Sequence, residues 1–189
     1  MTKRIGLIST LVLLMLCSCG DTQNEYTVGV TYFIFENSTH QDVTLSSAMS
    51  TNSPGIFCHI TKTTSAGVTY FSFNNNQGAS SKSIANAVDL KRSSLLGYNN
   101  GIIVGFGNLD NPAVFYAYDN QCPNCFSHDA IPVRNYSLTM SSNGIATCKT
   151  CGREYNMNTG GNIIKGDTGN KLIRYHAATT GALGVLIVN

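Results

Sequence analysis

Tryptophan is absent from this chain of 189 residues, and charge is scarce, at 12%. Low charge with abundant Asn, Ser, Thr and Gly suits a β-rich, loop-rich exported protein better than a helical one. A basic cluster is also missing. Setting aside Lys3 and Arg4, ten basic residues face ten acidic ones. The chain thus has no electrostatic reason to bind nucleic acid. No apolar run approaches the ~20 residues a membrane-spanning helix needs. The longest, "IGLISTLVLLML", has 12. No Ser-His-Asp set, paired carboxylates or phosphate loop is present, and "GFGNLD" (105–110) has the wrong spacing for a dinucleotide loop. Nor is there an internal repeat or linker.

What is present begins with an export signal. Positive residues Lys3 and Arg4 precede the apolar run, which ends in "LCSCG". Leu16-Cys17-Ser18-Cys19 has the order of a lipobox, with small Ser18 before the modified Cys19 and Gly20 after it. Cys17 fits less well, because bulky Leu16 would occupy the cleavage position. Residues 1–19 are therefore read as a lipoprotein signal peptide and 20–26 as a tether. This places the protein in the cell envelope, lipid-anchored on the extracytoplasmic side, with the membrane as one partner.

From residue 27 the pattern is short apolar runs between turn residues, and the expectation is one all-β domain over 27–189. Strands are expected at 28–35, in "GIFCHITKT", "VTYFSFN", "NNGIIVGFG" and "AVFYAYD", and across the closing "KLIRYHAATTGALGVLIVN". A polar loop is expected over 74–83, and a short helix or loop over 83–97. "YSLTMS" and "GIATCK" flank Ser142-Asn143-Gly144, a hairpin signal.

Seven cysteines are present. Two belong to the signal, and Cys58, in "GIFCHI", has the apolar setting of an inert buried thiol. The other four form two C-x2-C pairs, Cys122/Cys125 and Cys148/Cys151, on either side of the Asn-Gly hairpin. Each C-x2-C turn brings two sulfurs within reach of one ion, and Gly152 lets the second turn close. Four converging thiolates mean zinc or iron–sulfur. Export also permits disulfides, although a bridge within C-x2-C closes too short a loop to stabilise much. His128, three residues after Cys125, is a candidate neighbour of the site; His40, His59 and His176 are scattered. Tyr116, Tyr118, Tyr155 and Tyr175 are read as packing residues in strands.

The cysteine pairs sit in a wider pattern. Cys122-Pro123, Cys148, Cys151-Gly152, Tyr155-Asn156, Thr159-Gly160, Gly166, Leu172-Ile173-Arg174-Tyr175 and "GVLIV" resemble the Rieske-type domain, more closely over 100–189 than over 27–99. The resemblance implies a Rieske-like antiparallel β-sandwich with a small zinc-ribbon or rubredoxin-like metal-binding subdomain at about 118–160. It also implies electron transfer to a redox protein partner. Rieske domains use two Cys and two His ligands. Here Cys151 stands in place of one histidine, and Cys125 replaces the other one position late. The implied cofactor is a [2Fe–2S] cluster with all-thiolate ligation or a single Zn2+ or Fe ion. The rival reading is structural zinc in a cell-envelope scaffold protein. A closed site with four protein ligands has no open coordination position, so no enzyme is expected under either reading.

Overall fold

The structure, a computed structural model, describes residues 25–189. The segment read as a signal peptide, with Cys17 and Cys19, and most of the expected tether lie outside the described residues. Among the described residues every strand pairing is antiparallel, and the strands form three sheets.

The largest sheet has six strands. β2 (Phe57–Ser65), β3 (Val68–Asn75) and β4 (Ser80–Ile84) form one flank; β5 (Ile102–Phe106), β6 (Phe115–Asp119) and β11 (Arg174–Tyr175) form the other. Its order is β11-β6-β5-β2-β3-β4. Both faces are covered. β1 (Phe33–Glu36), β12 (Ala177–Thr179) and β13 (Val185–Val188) make a three-stranded sheet. With the helix α2 (Val43–Ala48), that sheet closes one core around Phe33, Phe35, Leu45, Phe73 and Leu186. On the other face lie β7 (Leu138–Met140), β8 (Ile145–Cys148), β9 (Glu154–Asn156) and β10 (Asn162–Lys165). They close a second core around Phe57, Tyr118, Leu138, Tyr155 and Leu172.

The double covering explains a feature of the sequence. Successive strand residues point to opposite faces, so Ile102 and Val104 enter the first core and Ile103 the second. All five residues of β5 are buried. Covered on both sides, such a strand reads as an unbroken apolar run, which is what "GIIVGF" is.

Two expectations need correction. The strand expected over 28–35 begins only at Phe33; before it, Gly29 has φ 85° and Tyr32 makes an isolated bridge to Leu95. The polar loop expected over 74–83 is a hairpin instead. Asn75 Oδ1 accepts from Gln77 N and Ala79 N at the turn. Alternating Ser81 and Ser83 turn inward and donate to the carboxylate of Asp42. A serine-rich strand is stable here because a buried acid faces it. That same Asp42 caps α2 by accepting from Leu45 N. With α1 (Asn37–His40), this helical region had no apolar period to announce it. The 83–97 stretch does contain a helix, α3 (Ala87–Lys91), started by a capping box between Asn86 and Asp89.

The closing segment, expected to be strands, holds β11, β12 and β13, and it changes sheet on the way. Arg174 and Tyr175 pair with β6, and after His176 the chain joins the other sheet.

One stability prediction arises here. His59 lies against Gly101, with Nε2 shielded from solvent and without a partner. Burial lowers its pKa to about 4, from 6.5 in the unfolded chain. The unfolded state therefore binds the proton first. Stability is fully present above pH 6.5 and is lost as pH falls towards 4, by up to about 3 kcal/mol. Denaturant titrations of wild type and His59→Met should diverge over that window, with the variant losing less. Parallel curves would contradict the burial of a neutral imidazole.

Candidate metal centre

The site is built by the chain leaving β6 and returning through β7 and β8. Asp119, the last residue of β6, accepts from Gln121 N at 2.6 Å. Gln121 Oε1 then accepts from Tyr136 N at 2.7 Å, and Cys122 N donates to Tyr136 O. This ladder fixes where the first cysteine loop starts. The loop turns tightly, with Cys125 N and Phe126 N both donating to Cys122 O. The second loop follows β8. Gly152 N donates to Cys148 O, and Gly152 has φ 71°, a region a side chain would disfavour.

The hairpin between them sets the two loops face to face. Leu138 pairs with Cys148, so the strand returning from the first loop ends beside the start of the second. The expected turn at Ser142-Asn143-Gly144 is present, but only Gly144 has positive φ, at 76°. Asn143 stays in the ordinary region, so the turn is the three-residue type with a glycine bulge.

The four sulfurs of Cys122, Cys125, Cys148 and Cys151 all lie within 4.8 Å of one another. Across the loops, Cys122 Sγ is 3.8 Å from Cys151 Sγ, and Cys148 Sγ is 3.9 Å from Cys125 Sγ. All four are free thiols, as is Cys58, so the disulfide reading is not what the structure contains. Cys122 and Cys148 are buried, whereas Cys125 and Cys151 reach the surface in part. The quartet is placed to bind a metal ion.

The surroundings suit thiolates. Burial pushes the Cys125 thiol up. At Cys151 burial also pushes upward, but hydrogen bonds from the Arg153 backbone and side chain outweigh it and leave the thiol near 6. A bound cation would remove the protons from the whole set, since its charge favours thiolate. Tyr155 lies beneath the site, with its hydroxyl 3.3 Å from Cys122 Sγ. Asn124 Nδ2 donates to that hydroxyl at 2.9 Å, so the Tyr155 proton is directed to the sulfur.

A third loop, which the sequence did not announce, clamps both cysteine loops. Asn124 and Asn170 bond reciprocally, side-chain amide to backbone, at 2.8 Å each. Arg153 donates to Asp167 O and Thr168 O. The clamp residues are therefore Asn124, Arg153 and 167–170. Tyr155 was expected to be packing alone and also touches a sulfur. The available signal was its place on the strand that opens directly after the second cysteine loop.

The histidines stand apart from the quartet. His128 is exposed, pairs with Asp129 at 3.2 Å and lies tilted against the Tyr98 ring. His40 bonds Asp89 at 2.9 Å, and His176 stacks on Tyr26. Burial raises the Cys58 thiol far above its usual range, which fits its expected inertness.

No family model, curated protein or solved structure matches this chain.

Proposed function

We propose that this chain is an exported, lipid-anchored electron-transfer protein of Rieske-like architecture, with one metal ion held by Cys122, Cys125, Cys148 and Cys151. The observation that carries the single-ion part of the reading is the size of the sulfur quartet, which suits zinc and iron alike; the electron-transfer part rests on the resemblance of the residue pattern. A regular tetrahedron with metal–sulfur bonds of ~2.3 Å has edges of roughly 3.8 Å. The two cross-loop distances, 3.8 and 3.9 Å, match that edge, and all four sulfurs lie within 4.8 Å of one another. A [2Fe–2S] cluster divides its four protein ligands between two irons, and the iron–iron separation would spread the pairs beyond a single tetrahedron's edge. The quartet therefore favours one ion over the cluster.

Iron in such a site supplies a one-electron couple without a change of ligands. The chain's own residues do the rest. Tyr155 directs a hydrogen bond at Cys122 Sγ, and the backbone of Asn124 and Arg153 favours the thiolate form of Cys122 and Cys151. Such bonds spread thiolate charge and favour the more negative, reduced state. The partly exposed Cys125 and Cys151 bring the centre close to a docking protein. The Rieske-like assignment rests on the residue pattern from Cys122 to the final strand, together with two ligand loops carried on a small sheet between β6 and β11.

A second reading, zinc as a structural staple, has its own support. The strands of the small sheet are only three or four residues long. A metal joining the two cysteine loops would cross-link the ends of these short strands.

Elemental analysis and the visible spectrum of anaerobically purified protein decide between them. The expected result is one iron per chain with visible charge-transfer bands. One zinc and no colour would establish the staple reading and end the redox role. Two irons with sulfide would overturn the single-ion geometry. Fractionation provides an independent check of the anchor: Cys19→Ser should move the protein from the membrane pellet to the soluble fraction.

A further inference from the structure

Each cross-loop pair of the sulfur quartet sets a sheltered thiol against a reachable one. Cys122 is buried, and its Sγ lies 3.8 Å from that of Cys151, which reaches the surface in part. Cys148 is buried, and its Sγ lies 3.9 Å from that of Cys125, which also reaches the surface in part. Bonds that involve no sulfur hold the loops in this relation. Leu138 pairs with Cys148, Asn124 bonds Asn170, and Arg153 donates to the carbonyls of Asp167 and Thr168. Thiol–disulfide exchange needs this layout: an accessible thiolate to attack, and a second within reach to resolve the mixed disulfide.

We infer that the metal-free quartet reduces small disulfides and is itself oxidised across the loops, to Cys122–Cys151 and Cys125–Cys148. This would regulate the proposed metal centre, and it rests on the same four ligands. The Cys151 thiolate attacks a disulfide RSSR. An S–S bond to Cys151 forms, the RS–SR bond breaks and one RS− leaves. The Cys122 thiolate then attacks Cys151 Sγ and expels the second RS−. Two electrons pass to RSSR, and the two thiol protons end on two RSH. Cys125 and Cys148 repeat the sequence with a second RSSR. In each pair the sulfurs close from 3.8 or 3.9 Å to about 2.05 Å.

The other two pairings fit less well. Bridges within the C-x2-C turns would leave the loops unlinked. The cross-loop bridges join residues 29 and 23 apart and constrain the unfolded chain more. Joining Cys122 to Cys148 would pair the two buried thiols, neither of which an incoming disulfide meets first. The cross-loop bridges consume every ligand sulfur, so oxidation releases the ion. A bound ion in turn occupies the two attacking thiolates.

The test uses full-length protein stripped with a chelator, oxidised with glutathione disulfide, alkylated and digested with trypsin. Cleavage after Arg134, Lys149 and Arg153 separates Cys148 from Cys151 and leaves Cys122 and Cys125 on one peptide. The Cys148 and Cys151 peptides should each be bridged to that third peptide. A Cys148–Cys151 bridge would overturn the pairing. Two double variants separate the remaining alternatives. Cys125→Ser/Cys148→Ser leaves Cys122 and Cys151; Cys125→Ser/Cys151→Ser leaves Cys122 and Cys148. The first should close its disulfide about tenfold or more faster than the second. Equal or reversed rates would overturn the division into attacking and resolving thiols. The wild-type map stands even where a variant fails to fold. Zinc-loaded wild type should oxidise about tenfold or more slowly than the stripped protein, releasing its zinc as it does so. Equal rates would overturn the coupling to the metal. Reduced protein that takes up neither zinc nor iron would instead end the proposed centre, and the peptide map would still decide the pairing.

Discussion

Serine at Cys148 is expected to reduce metal content from one ion per chain to below about a tenth, and to lower the melting temperature by about 10 °C. Cys148 is buried at the end of β8, in register with Leu138. Serine keeps the shape but replaces a soft thiolate with a hard, reluctant ligand. Three thiolates then remain, with Cys122 and Cys125 in the burial that already raises their pKa. Without the cation the set reverts towards thiols, and the metal's share of the folding energy is lost. A loss of about 3–5 kcal/mol corresponds to roughly 10 °C for a domain of this size. The damage should be local. The core between the six-stranded sheet and the three-stranded sheet contains none of the four ligand sulfurs. The main sheet's far-ultraviolet signal should survive while hydrogen exchange accelerates in β7 to β10. Cys58→Ala is the matched control, since Cys58 is equally buried but belongs to that other core. It should lose stability and keep its metal. Full metal occupancy in Cys148→Ser would refute the ligand set.

The residues that the sequence disclosed share one property: their geometry is local. The two C-x2-C turns are each set by four consecutive residues, and the Asn-Gly hairpin by three more, so their convergence could be inferred without the rest of the fold. β5 was legible because burial on both faces leaves an unbroken apolar run. What stayed hidden depends on partners far along the chain. Ser81 and Ser83 form a strand because Asp42, some forty residues earlier, faces them. The Asn124–Asn170 bond joins residues 46 apart. Both asparagines are ordinary loop residues when read locally. Tyr155 presented as a core aromatic, which it is, and nothing local distinguishes a packing tyrosine from one whose hydroxyl meets a sulfur.

Asp119 is the strongest case of such a long-range role, and removing it is expected to destabilise the fold by about 4 kcal/mol. It ends a strand in the sequence and gave no sign of importance there. In the structure it is fully buried and accepts three hydrogen bonds, from Gln121 N at 2.6 Å, Tyr98 N at 2.8 Å and the Tyr175 hydroxyl at 2.6 Å. The first launches the cysteine loop, the second secures the turn before β5, and the third ties in β11. Alanine would strand three buried donors at ~1–3 kcal/mol each, with partial relief as the cavity relaxes. Asparagine should cost less, about 2 kcal/mol, because its oxygen still serves Gln121 N and the Tyr175 hydroxyl can reverse to accept. Its amide cannot accept from Tyr98 N. The pH dependence separates charge from shape. Burial raises the Asp119 pKa, against the pull of the three donors. A carboxyl whose folded pKa is raised contributes most below its unfolded value and loses that contribution as pH rises through the folded one. Asparagine does not titrate, so the deficit of Asp119→Asn relative to wild type should narrow as pH rises from the acid side to neutrality. Paired denaturant titrations on metal-free protein would read this without interference from the site. A deficit constant across that range would mean that Asp119 acts through shape alone and that its burial does not oppose ionisation.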